Sequence, residues 1–130
     1  MKKIYSTILI LFLVVLGLNA QIVDDGFETY TAGERLAIQA GDPWTTWSNA
    51  PGGNEDPYIS DAQAFEGSNS VKIGTSNDCV LLLGDKTTSR YKLSFEIYIP
   101  AGKLAYYNIL QDFAGGNSIW GTQIYFDVNG

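Results

Sequence analysis

The stretch Tyr91-Lys92-Leu93-Ser94-Phe95-Glu96-Ile97-Tyr98-Ile99 alternates with period two. Successive side chains of a strand point to opposite faces. Leu93, Phe95, Ile97 and Ile99 therefore share one face, and Lys92, Ser94, Glu96 and Tyr98 the other. Pro100-Ala101-Gly102-Lys103 supplies a turn, and residues 105–113 read as the return strand. Residues 120–128 alternate again, with Trp120, Thr122, Ile124, Phe126 and Val128 on one face. Shorter strands are read at 70–73 and 79–83, and an edge strand at 22–27. The run Cys79-Val80-Leu81-Leu82-Leu83 is apolar throughout, as a strand covered on both faces would be. No segment carries an amphipathic helical period. Short strands with Gly, Pro and Asn between them predict an all-β domain, a β-sandwich of jelly-roll type.

The N-terminus gives the destination. Lys2 and Lys3 precede an apolar stretch at 8–16, which ends in Gly17-Leu18-Asn19-Ala20 before Gln21. A basic start, a short apolar core and a small residue at the cut predict a secretory signal peptide over residues 1–20. The core is shorter than the ~20 residues that span a bilayer. The expected product is one secreted domain, residues 21–130, extracellular or at the cell surface, with no membrane contact after cleavage. Loss of two lysines takes the formal charge from −6 to −8. So acidic a surface repels phosphate backbones, which argues against nucleic acid as a partner. There is no histidine, which removes imidazole acid–base chemistry and the common zinc sites. Cys79 is the single cysteine, so no intrachain disulfide forms, and its apolar setting reads as a buried structural thiol. The chain ends in Asp127-Val128-Asn129-Gly130, and Asn-Gly is a strong hairpin signal with no strand after it. The sandwich is thus expected to be truncated, incomplete at its C-terminus.

Several segments resemble a known family. Asp25-Gly26-Phe27-Glu28, then Trp44 and Trp47, then Ala64-Phe65-Glu66-Gly67-Ser68-Asn69-Ser70 follow the opening half of jelly-roll carbohydrate-binding modules. With the Leu-Gly-Asp-Lys-Thr run at 83–87, residues 91–100 and the strand from Trp120 to Phe126, the chain resembles the concanavalin A-like domain of secreted Bacteroidetes proteins that use type IX secretion. The resemblance implies an accessory domain working beside downstream domains of a larger parent protein. It also implies that Glu28 stands where a carboxylate helps hold a structural calcium, with Asp25 beside it.

The residues favour binding over catalysis. No strand carries the alternating carboxylates of a jelly-roll glucanase, and there is no G-x-S-x-G. The segment is read as no enzyme. Sugars present apolar C–H faces and hydroxyls, so their sites combine flat aromatics with amides and carboxylates. Candidate residues for a polysaccharide or glycan partner are Trp47, Tyr58, Tyr106, Asn108 and Asp112. Tyr106 and Tyr107 point to opposite faces, so one strand face takes only one of them. Trp44 and Trp47 admit two readings, sugar stacking or packing, and Trp120 reads as packing. The Glu55-Asp56 loop reads as exposed and acidic. The alternative to a glycan-binding module is a structural or adhesive β-sandwich whose aromatics serve packing alone.

Overall fold

The computed structural model describes residues 21–128. The signal peptide read at 1–20 and the Asn129-Gly130 pair lie outside the described residues. The described chain is all-β apart from one short helical turn, α1 (Leu36–Ala40), and a 3-10 turn at Gly115–Asn117. The strands are β1 (Trp44–Thr46), β2 (Tyr58–Ser60), β3 (Ser70–Lys72), β4 (Cys79–Leu81), β5 (Ala105–Asp112) and β6 (Ile119–Phe126). They pair antiparallel as three ribbons, β1 with β4, β2 with β3, and β5 with β6. The β2–β3 ribbon is nested in sequence between β1 and β4.

Burial is concentrated early in the chain. Among the described residues, Leu36, Ala37 and Ile59 form the fully buried apolar core, with Pro57 beside them. Thr45, Thr46 and Asp56 are buried with them. Asp56 explains how so short a helix holds. The first N–H groups of any helix lack intrahelical partners. Arg35, at the N-cap of α1, makes no side-chain cap bond. The Asp56 carboxylate replaces it: Oδ1 accepts from the Ala37 N–H at 2.7 Å, and Oδ2 from the Ile38 N–H at 3.1 Å. Oδ2 also accepts from the Gly52 N–H at 2.8 Å, so one carboxylate ties α1 to the turn before it in space. The Asp56 carbonyl accepts from the Arg35 guanidinium and, at 3.3 Å, from Asn77 Nδ2. The loop at 51–58, read as exposed and acidic, is exposed over much of its length, but its Asp56 is buried at the centre of the core because three N–H donors converge on its carboxylate.

Three other sequence expectations change. Residues 91–99 join no ladder, and between 83 and 99 no backbone N–H or C=O bonds to another described residue. Alternation assigns the faces of a strand but supplies no neighbour for its edges. Residues 22–27 form no edge strand; the Asp25 carboxylate takes the Phe27 N–H at 2.9 Å, and Phe27 turns left-handed at φ 65°. β1 and β2 lie in the turn-rich stretch Pro43-Trp44-Thr45-Thr46-Trp47-Ser48-Asn49 to Tyr58, where neighbouring Gly and Pro hide strands of only three residues. The turn at 100–103 is present, closed by the Lys103 N–H on the Pro100 carbonyl at 3.0 Å.

Candidate functional site

The β5–β6 ribbon carries the candidate site. Its register pairs Tyr106 with Tyr125, Tyr107 with Ile124 and Asn108 with Gln123. Alternation then places Tyr106, Asn108, Gln123 and Tyr125 on one face. The Tyr106 and Tyr125 rings stack at 5.4 Å and 17°, and both are exposed, at 49% and 69%. Tyr125 Oη donates to Gln123 Oε1 at 2.9 Å, which orients the amide beside the rings. The opposite face is packed: Tyr107 stacks on Phe126 at 6.3 Å and meets the Phe95 edge at 4.9 Å. Tyr106 and Tyr107 therefore divide as their adjacent positions require. An open cleft of about 420 Å³ adjoins Tyr125, lined by Ile99, Pro100, Lys103, Phe126 and Val128 among others.

Further along, the ribbon is irregular. Register shifts follow Ile109 and Leu110, and a Cβ at Gly121 would collide with the Ile109 carbonyl. Only glycine allows the two backbones to approach so closely there. Asp112 lies past both shifts, opposite Ile119 and exposed. Six residues of strand separate it from Tyr106, about 20 Å. Trp47 belongs to that far end: it stacks on Trp120 at 5.6 Å and 25°, and meets the Phe113 edge at 5.7 Å. Tyr58 sits on another ribbon, opposite Lys72, with the Arg35 guanidinium 4.5 Å over its ring. That cation–π contact occupies one ring face. Of the five residues expected to bind glycan, Tyr106 and Asn108 stand together, Trp47 and Asp112 lie at the opposite end of the ribbon, and Tyr58 stands apart. Tyr125 and Gln123, which share the face of Tyr106 and Asn108, were not among the five. The signal was present, since the apolar alternation of 120–128 leaves Gln123 and Tyr125 on the second face.

The N-terminal carboxylates are engaged with protein donors. Asp25 Oδ1 accepts from the Phe27 N–H, and Oδ2 from Tyr30 Oη at 2.9 Å and Trp44 Nε1 at 2.8 Å. Burial first, then the Asp25 hydrogen bond, raises the Tyr30 hydroxyl above its ordinary pKa. Glu28 accepts from the N–H groups of Ser68 and Asn69 at 2.8–3.1 Å. Asn69 Nδ2 in turn donates to the carbonyls of Phe27 and Tyr30. Phe27-Glu28 and Gly67-Ser68-Asn69, two widely separated parts of the resemblance, thus meet in one cluster. Among the described residues no group of three or more Asp, Glu, Cys or His side chains is placed to hold a metal.

One pair of acids is electrically coupled. Burial first, then the Glu55 charge, raises Asp78 above the usual carboxylate range. Glu55 is lowered by the Ser48 hydroxyl and N–H, which its Oε2 accepts at 2.7 and 2.8 Å. Glu55 is thereby committed to a turn. No helix among the described residues is long and apolar enough to cross a membrane. Comparison of the chain with protein-family models, curated proteins and solved structures found no match.

Proposed function

We propose that this chain is a secreted, non-catalytic module that binds polysaccharide through the Tyr106–Tyr125 face of β5 and β6. In this reading the three ribbons belong to a jelly-roll sandwich of the concanavalin A-like kind, an accessory to other domains of a parent protein. One observation carries it. Among the described residues, Tyr106–Tyr125 is the one close ring pair in which both rings are exposed, and amides flank it. Aromatic faces meet the C–H faces of sugars, while an amide both accepts and donates to hydroxyls. The remaining close ring pairs involve at least one half-buried ring and join segments of the chain.

The test is polysaccharide gel-shift or glycan-array binding. Tyr125→Ala and Asn108→Ala are each expected to weaken binding roughly tenfold, near the upper range of a single ring or polar contact. Tyr125 is exposed and Asn108 half-buried with no apolar core role, so the fold is expected to survive both changes. Tyr58→Ala is expected to bind as the parent chain does. Full binding by a Tyr106→Ala/Tyr125→Ala chain would refute the site, and no binding by the parent chain would leave the structural or adhesive reading in its place.

A further inference from the structure

The alternating segment at 91–99 is the clearest strand pattern in the sequence, yet it joins no ladder among the described residues. Its side chains show what is missing. Leu93, Phe95 and Ile97 are 47%, 48% and 46% exposed, and Tyr91 and Tyr98 54% and 66%. Phe95 touches Tyr107, which holds the segment beside the ribbon while its backbone N–H and C=O groups find no partner among the described residues. Backbone groups of this kind form a template for strand addition.

We infer that residues 90–98 pair antiparallel with the same residues of a second copy, centred on Ser94. The sequence is self-complementary in that register. Lys92 falls opposite Glu96 of the second copy, and Glu96 opposite its Lys92, giving two charge pairs across the dyad. Arg90 falls opposite Tyr98, a cation over a ring. On the other face Leu93 meets Phe95, and Tyr91 meets Ile97.

Neighbouring registers do less well. Centring on Phe95 sets Lys92 against Tyr98 and Glu96 against Ser94, with no charge pair. Centring on Leu93 sets Arg90 against Glu96, but a ladder that stops short of Ser89, whose φ of 73° interrupts a strand, then spans only residues 90–96 instead of 90–98. The Ser94 register stops short of that residue.

Net charge allows the approach. Residues 21–80 carry ten carboxylates and two cations, whereas residues 81–128 carry four of each. Two copies meeting through the neutral part keep their acidic parts apart. Phe95 lies against Tyr107, on the ribbon face opposite Tyr106, so pairing leaves both Tyr106–Tyr125 faces open.

The experiment measures mass by sedimentation equilibrium on the purified chain. A dimer is expected at micromolar concentration. Lys92→Glu sets like charges opposite each other twice and is expected to weaken the dimer about tenfold. Lys92→Glu/Glu96→Lys restores the pairs and is expected to recover it. Among the described residues neither Lys92 nor Glu96 makes a hydrogen bond or ion pair within one copy, and both are exposed, so these changes remove no such bond from the fold. Ser94→Cys is expected to form a disulfide to its own copy under mild oxidation, because residues directly opposed in a ladder have Cα atoms within disulfide range. Peptide mapping separates that bridge from Cys79, and Glu96→Cys is expected to cross-link poorly. A monomer at about 100 µM, well above the micromolar range of a specific pairing, would overturn the proposal. So would a dimer indifferent to the charge exchange, or one in which Glu96→Cys links as well as Ser94→Cys.

Discussion

Asp56→Asn isolates one carboxylate from everything else its residue does. Arg35 and Asn77 bind the Asp56 main-chain carbonyl, which asparagine keeps. The side chains have nearly the same shape, so no cavity opens. What changes is the second oxygen. Asparagine Oδ1 still accepts from the Ala37 N–H, but its NH2 group now faces the N–H groups of Ile38 and Gly52. Two donors lose their acceptor at a site with no exposure to water. Hydrogen bonds to a charged group contribute about 1.5–3 kcal/mol each, so the loss is about 4 kcal/mol.

Urea unfolding followed by tryptophan fluorescence reads this directly. With a slope of about 2 kcal/mol/M, the midpoint falls by about 2 M. The slope itself is expected to stay constant, since the surface exposed on unfolding is unchanged. Such a loss is a large fraction of the roughly 5–15 kcal/mol typical of a domain. A midpoint within about 0.3 M of the parent chain, well below one such bond at that slope, would refute the assignment of Asp56 as the tie between α1 and the Gly52 turn.

Three further outcomes are expected. Gly67→Ala puts a Cβ 2.5 Å from the Glu28 carboxyl at a φ of +65°, and costs about 2 kcal/mol, read as a lower Tm; an unchanged Tm would remove Glu28 from its cradle. The Cys79 thiol, pushed up to about 12 by burial and then by the Asp56 and Asp78 charges, stays protonated at pH 8 and becomes a thiolate only as pH rises through that value. It is expected to react with a disulfide reagent at least about a hundredfold more slowly in the folded chain than in urea, and equal rates would place it at the surface. Chelation is expected to leave Tm unchanged, because all four carboxylate oxygens of Asp25 and Glu28 already accept from protein N–H or O–H groups; a fall of several degrees would establish a structural calcium there.

The all-β class, the turn at 100–103 and the two longest strands were legible because period-two patterns and Pro-Gly turns are local signals, but their partners were not: 105–113 was read as the return strand of 91–99 and pairs instead with β6. β1 and β2 were not, since three residues are too few to show a period. Asp56 was misread for a related reason. An acid between Gly-Gly and Pro looks solvated until the N–H groups it serves, as far away as Ala37 and Ile38, are brought to it by the fold. The same limit applied to the site: one face of β6 was read for its apolar residues, and the polar face holding Gln123 and Tyr125 passed unremarked.

The two tryptophans three residues apart serve different parts of the fold. β1 ends at Thr46, so Trp44 and Trp47 leave it in different directions. Trp44 turns to Phe27 and Asp25. Trp47 crosses to Phe113 and Trp120, and so ties the Asp56-centred core to a ribbon that has no fully buried residue of its own. A ribbon held by ring contacts opens more readily than a core held by buried hydrogen bonds, and binding surfaces tend to be drawn from such parts of a fold. Counting aromatics would have placed a sugar platform at Trp44 and Trp47. Their contacts instead make them joints between segments, whereas the stacked rings of Tyr106 and Tyr125 are both exposed.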